Sequence, residues 1–228
     1  MRRFLIKIYD FIVFRLPSSA IMLFHHVSNN PNCKKSSCMV DTKKFYDIIN
    51  SFENYASVEE VYKKPAKRKV AVTFDDGLQD VYDIAYPFLK EKNVPFTVYV
   101  LAEFIDKEGY LTKEQLLEMA ADPLVTIGSH GLHHNVFTKM SAEEKQKEVF
   151  LSKKILEDTI GQEVTNFAYS HGVYDRDALK LVREYDYAMS VAARPVNVIT
   201  RISRYILPRF NITDDSLEST LAMLKKIV

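Results

Sequence analysis

The chain has 228 residues, 47% of them apolar, which suits one sizeable domain with a real core. Lys and Arg total 31 against 30 for Asp and Glu, so no excess of positive charge exists to draw nucleic acid, and a nucleic-acid reader is excluded. The two cysteines, Cys33 and Cys38, lie in a polar stretch without the spacing of a zinc knuckle or a disulfide framework, and read as incidental loop thiols.

Residues 1–16 are rich in Phe, Ile, Leu and Val and open with Arg2 and Arg3. Lys7 and Asp10 interrupt the apolar run, which argues against a secretory signal, and the segment is too short and too charged to span a bilayer. On a helix Arg3, Lys7 and Asp10 share one face and leave a broad apolar face opposite. The expectation is an amphipathic helix over residues 1–19 and one domain over 20–228. The apolar face packs on its own domain or, in a second reading, lies on a membrane surface. A cytoplasmic location follows, at the inner face of the membrane in that second reading.

Pro17 ends the first helix, and residues 20–24 read as a buried strand running into His25 and His26. A polar loop through Cys38 leads to helices over 42–52 and 57–63, and basic residues 63–69 precede a strand, Val-Ala-Val-Thr-Phe, that stops at Asp75, Asp76 and Gly77. Periodicity predicts a helix over 81–92 and, after Pro95, a strand over 96–101. Thr112 with Gln115 and Ser141 with Glu144 have the spacing of capping boxes, opening helices to about 121 and 159. Between them residues 125–129 form a strand ending at His130. Residues 165–169 form another, ending at Ser170, His171 and Gly172. Asp175 caps a helix to about 185, strands follow over 187–191 and 198–207, and residues 216–227 close the chain as a helix. Alternating strands and helices imply parallel β-α units, and about seven of them an incomplete or distorted barrel.

All six histidines, His25, His26, His130, His133, His134 and His171, fall at or just beyond predicted strand ends, as do Asp75 and Asp76. In parallel α/β architectures those ends form one face, where active sites sit. Adjacent carboxylates repel and are comfortable when solvated or when a cation takes up the charge. A carboxylate with two imidazoles leaves an open position on a divalent ion, the pattern of a catalytic metal. His130 and His134 reach one ion if the segment after the strand turns helical, and by spacing alone His133 could replace His134.

Two segments carry a family resemblance: Thr-Phe-Asp-Asp-Gly at 73–77 and Gly-Ser-His-Gly-Leu-His-His at 128–134. They resemble the first two signature motifs of the polysaccharide deacetylase family, carbohydrate esterase family 4, also called the NodB-homology domain. Phe-Ala-Tyr-Ser-His-Gly-Val-Tyr-Asp at 167–175 is similar to its third motif. The resemblance covers about residues 20–211. It implies a distorted (β/α)7 barrel that removes acetyl groups from saccharides with a divalent metal, usually zinc. Carried over, Asp75 is the general base, and Asp76, His130 and His134 are the metal ligands, with His134 preferred over His133 by the motif spacing. A backbone N–H near His171, with Tyr169 beside it, contacts the substrate or its oxyanion.

Two departures from the family pattern matter. No histidine follows His171, so the general acid of the usual C-terminal Leu-x-x-His motif is missing. Leu-Phe-His-His-Val at 23–27 is similar to the Tyr-His-x-Val segment of the poly-β-1,6-N-acetylglucosamine deacetylase subgroup, which assigns the acid to His25, with His26 as runner-up. Ala168 stands where many members carry an arginine, and Arg209 is the candidate to orient Asp75 instead. The leading expectation is an N-deacetylase acting on a polysaccharide or a lipid-linked precursor. An O-acetyl esterase, a non-catalytic saccharide binder and a cyclic-amide hydrolase are the competing readings.

Overall fold

The computed structural model describes residues 19–29, 38–64, 68–187, 189–192, 204–213 and 215–225. The helix expected over residues 1–16, Cys33, and the first part of the strand expected over 198–207 lie outside them. In chain order the strands are β1 (Ala20–Phe24), β2 (His26–Val27), β3 (Met39–Val40), β4 (Val70–Phe74), β5 (Phe96–Val100), β6 (Val125–Ser129), β7 (Asn166–Ala168), β8 (Met189–Ala192), β9 (Leu207–Pro208) and β10 (Phe210–Asn211). Strands β2 and β3 form a separate parallel pair, and the others join one sheet in the order β10-β1-β4-β5-β6-β7-β8-β9, every pairing parallel. No helix among the described residues is long and apolar enough to cross a membrane.

Strands β9 and β10 are one extended segment interrupted at Arg209. The first half pairs with β8 and the second with β1, so this segment bridges the two margins of the sheet and completes the seven-stranded, distorted barrel. The expected strand over 198–207 ended too early, because Pro208 and Arg209 break the apolar pattern exactly where the chain changes partner. Pro208 lacks the N–H of an interior strand residue and fits only such a margin.

Strand alternation sorts the side chains into two environments. Outward-facing residues such as Met22, Phe24, Val72, Phe74, Phe96 and Val98 belong to the large core beneath the helices. Ile21, Ala71, Tyr99, Ala168, Val191 and Leu207 face the other way and cluster with Ala56, Val58 and Val61, so the helix Val58–Lys63 fills the N-terminal end of the barrel with apolar groups. Thr73 and Asp75 continue the inward column above Ala71. The buried interior is thus apolar at one end and polar at the other, where the active-site candidates collect. Gly128 is required here: a Cβ on it would stand 2.6 Å from the Tyr99 ring, which crosses the interior at that level.

Both predicted capping boxes form, at Thr112 and at Ser141, opening helices Lys113–Ala121 and Ala142–Ile160. Gly161 ends the second with a left-handed φ of 67°, and Asp175 caps Arg176–Glu184. The helix expected over 81–92 begins as a wide π turn, Val81–Ala85, before regular helix Tyr86–Glu91. Pro87 lies in that first regular turn and cannot donate to the ladder behind it, so the preceding turn bonds one residue further back, as Tyr86 N–H to the Val81 carbonyl.

Candidate active site

Four parallel strands deliver chemistry to one face. His25 follows β1, Asp75 and Asp76 follow β4, His130 follows β6, and His171 lies just beyond β7; all line one cleft of about 380 Å³ with His134. A larger hollow of about 700 Å³ opens on the other side of the 130–134 loop against His133, Glu148 and Leu151. It contains none of the clustered ligand candidates, so size does not mark the site here.

Asp75 is the most constrained carboxylate in the cleft, with its side chain 4% exposed. Its backbone N–H donates to the Phe24 carbonyl at 3.0 Å, continuing the β1–β4 ladder past the strand end. Arg209 Nη1 donates to Asp75 Oδ1 at 2.6 Å and Nη2 to Oδ2 at 2.7 Å, the two-pronged geometry that only a guanidinium provides. Nη1 also donates to Thr73 Oγ1 at 3.2 Å, and that hydroxyl donates to the Met22 carbonyl at 2.7 Å. The guanidinium carbon stands 5.3 Å from the centre of the Tyr99 ring, whose face attracts the cation. Burial pushes the Asp75 carboxyl upward, but Arg209, His130 and His25 outweigh it and hold the group well below the usual carboxylate range. Asp75 is therefore ionised at neutral pH, with Arg209 as its bonded cation.

Asp76, His130 and His134 offer ligand atoms within 4.8 Å of one another. His130 Nε2 and His134 Nε2 each lie 3.5 Å from Asp76 Oδ1. The chemistry of the donors fits a divalent ion. Asp76 Oδ1 is buried with no protein hydrogen-bond partner, and His130 Nδ1–H donates to the Ala168 carbonyl at 2.9 Å, which leaves the Nε2 lone pair facing Asp76. Burial, and next the neighbouring His130, lower the His134 pKa, favouring the neutral imidazole that a metal needs. Asp76, His134 and His171 all adopt left-handed backbone, with φ of 71°, 60° and 57°. Such conformations cost of order 1–3 kcal/mol each and concentrate where function demands them.

The 130–134 segment is not helical, contrary to the condition under which two histidines four apart were expected to converge. It is an irregular loop, and Glu148 on the helix Ala142–Ile160 sorts its histidines. His133 Nδ1 lies 3.0 Å from Glu148 Oε1, so His133 turns away while His134 enters the cleft. Of the two it is His134 that lies beside Asp76 and His130, and His133 is held away by a residue that spacing does not reveal.

Tyr169 corrects an expectation. It is 0% exposed, its hydroxyl donates to the Tyr205 carbonyl at 3.2 Å, and its backbone N–H donates to Val191. Its ring packs with Phe137, Phe167 and Tyr174, so it supports the core and does not line the cleft. His171, by contrast, lines the cleft, with its ring 4.3 Å from that of His134 and Nε2–H directed to the His134 carbonyl at 3.2 Å.

His25 and His26 divide sharply. His25 lies among Asp75, Asp76, Arg209 and His130, its Nδ1 is buried without a partner, and burial lowers its pKa despite the two carboxylates. His26 Nδ1 pairs with Asp80 Oδ2 at 2.7 Å, which raises its pKa above the ordinary value near 6.5. A raised folded-state pKa stabilises fully below the unfolded value and loses that contribution as pH rises through the folded one. Asp80→Asn is thus expected to cost about 1 kcal/mol near pH 5.5, after discounting for partial exposure, and much less near pH 9. Urea unfolding at both pH values measures the gap, and an equal loss at each would refute a charged His26. Thr73, Tyr99, Asp80 and Glu148 escape sequence reading because each acts through a partner remote in the chain.

A model of the polysaccharide deacetylase family matches residues 62–190. YxkH of Bacillus subtilis (strain 168), a polysaccharide deacetylase by name, is 28% identical over 200 residues, covering 85% of this chain and 71% of that protein. The poly-β-1,6-N-acetyl-D-glucosamine N-deacetylase of Staphylococcus aureus (strain MSSA476) is 27% identical over 173 residues, 69% of this chain; the match spans 60% of that protein's length. Among solved structures, the Streptococcus pyogenes deacetylase PplD in complex with acetate superposes with a TM-score of 0.79 at 23% identity, covering 91% of this chain and 98% of that one. IcaB from Ammonifex degensii does so at 0.78 and 19%, covering 92% and 97%. These two likenesses establish the fold, and the matched motif-bearing region establishes more: the chain is a member of the polysaccharide deacetylase family.

Proposed function

We propose that the protein is a metal-dependent N-deacetylase that hydrolyses the acetamido group of an N-acetylated sugar in a polysaccharide or its lipid-linked precursor, releasing acetate and a free amine. The observation that carries this reading is Asp75, a buried carboxylate kept ionised by Arg209 beside a separate Asp-His-His cluster. A protein that only binds saccharide has no use for a second, protected carboxylate next to a complete ligand set. The name of the staphylococcal relative supports an N-acetylglucosamine polymer as substrate.

Asp76, His130 and His134 would hold the ion, most suitably zinc given the nitrogen-rich set. When bound, a divalent ion supplies polarisation of the acetyl carbonyl and a lowered pKa for water. Asp75 then accepts the proton of the attacking water at Oδ2, the oxygen that lies 3.7 Å from His130 Nε2. Arg209 keeps its charge throughout, so Asp75 does not hold that proton but passes it on to His25, which lines the same cleft. His25, neutral beforehand because burial lowers its pKa, is protonated in this way and donates the proton to the departing amine nitrogen, which would otherwise leave as a strongly basic anion. A backbone N–H beside His171 is the proposed partner of the oxyanion. His25 and Arg209 both lie outside the matched residues 62–190, so their roles rest on geometry.

Acetate release from N-acetylglucosamine oligomers, lost on chelation and restored by zinc, tests the reading. His25→Ala is expected to slow amide cleavage by about 10²–10⁴-fold while sparing acetyl esters, whose alcohol leaves without a strong acid. Equal loss on both substrates would remove His25 from the acid role.

A further inference from the structure

Glu148 is a buried carboxylate that the reaction does not use. It is 3% exposed, on the helix Ala142–Ile160, and points under the loop that leads to His134. Its Oε2 accepts from the backbone N–H of Leu132 at 2.5 Å and of His133 at 3.3 Å, while Oε1 faces His133 Nδ1 at 3.0 Å. A buried carboxylate is costly unless such donors satisfy it, so loop and carboxylate hold each other. Gly131 makes room for it: at φ 86° a Cβ there would stand 2.7 Å from Glu148 Oε2. The loop leaves β6 with His130 N–H bonded to Val100 and Gly131 carbonyl bonded to Ala102 N–H. Beyond that point it follows no helical ladder, and it must still present His134 from a left-handed backbone.

We propose that Glu148 is a positioning residue for the metal site, fixing His134 through the amides of Leu132 and His133 and holding the His133 ring out of the ion's reach. The inference rests on the reading of Asp76, His130 and His134 as ligands. It acts further out, through the backbone, than the carboxylates that orient metal-bound histidines directly, where mutation costs about 10–100-fold in metal affinity.

Zinc affinity of the full chain, stripped of metal and measured by competition with a chromophoric chelator well below the unfolding midpoint, tests it. Glu148→Ala is expected to weaken zinc about 10–100-fold. Glu148→Gln is expected to stay within about fivefold of wild type, because its amide oxygen still takes both N–H groups and its NH₂ can donate to the ring nitrogen of His133. Gly131→Ala, whose Cβ displaces the carboxylate from the opposite side, is expected to lose about tenfold or more and covers the case in which Glu148→Ala does not fold. A folded Glu148→Ala or Gly131→Ala protein binding zinc within about twofold of wild type overturns the inference, whatever its unfolding midpoint. Wild type that binds no zinc, or binds it equally after His130→Ala, sinks the ligand reading itself and is told apart from the first result.

Discussion

Arg209→Leu is expected to abolish most turnover and to destabilise the fold at the same time. The substitution removes both hydrogen bonds to Asp75 and leaves a carboxylate with 4% of its side chain exposed and no compensating cation. Breaking a buried pair in this way costs about 3–5 kcal/mol, and the group escapes part of the cost by taking up a proton. A protonated Asp75 cannot accept another, so kcat/KM should fall by about 10²–10⁴-fold at neutral pH. The sign of the pH effect follows. In the wild type the depressed pKa of Asp75 contributes stability above its unfolded value, and that contribution is lost as pH falls through the folded one. Without Arg209 the carboxyl titrates higher, so the acid limb of the rate profile moves upward and residual activity recovers with rising pH. Arg209→Lys should retain more stability than activity, because an ammonium supplies the charge without the planar fork. The double variant Asp75→Asn/Arg209→Leu should be more stable than Arg209→Leu alone, since no charge is then stranded. Urea denaturation and pH-rate profiles together decide the matter; activity within about fivefold of wild type in Arg209→Leu would show that Asp75 needs no cation.

Asp75 and Asp76 are adjacent, yet their substitutions should separate metal binding from turnover. Both oxygens of Asp75 are taken by Arg209, whereas Asp76 Oδ1 is buried without a partner and lies 3.5 Å from each of two histidine nitrogens. Asp76→Ala should weaken zinc by more than about 100-fold and lose acetate release with it. Asp75→Asn should keep zinc within a few-fold while turnover falls by about 10³-fold, because an amide cannot accept the water's proton. Excess zinc would then rescue Asp76→Ala in part and Asp75→Asn not at all. The reverse pattern, with zinc lost in Asp75→Asn and kept in Asp76→Ala, would exchange the two roles.

The sequence by itself determined the strand that ends at Asp75, the gathering of histidines at the ends of parallel strands, the capped helices and the family motifs. Each is a local pattern: apolar runs, capping spacings and short motifs are written in neighbouring residues, because the forces that produce them act over one or two turns. Tertiary structure decided the partnerships. Arg209 reaches Asp75 across 134 positions because the final extended segment changes partner from β8 to β1, and Pro208 with Arg209 disguised that segment in the sequence. Tyr169 looked like a substrate contact from its motif, but the end of β7 turns it into the core. His134 was distinguished from His133 by a carboxylate 15 positions away on a helix, acting on an irregular loop whose shape no periodicity encodes. Side chains that work through buried ion pairs and backbone amides become visible only when the chain has closed on itself, since the low-dielectric interior that gives those contacts their strength does not exist before then.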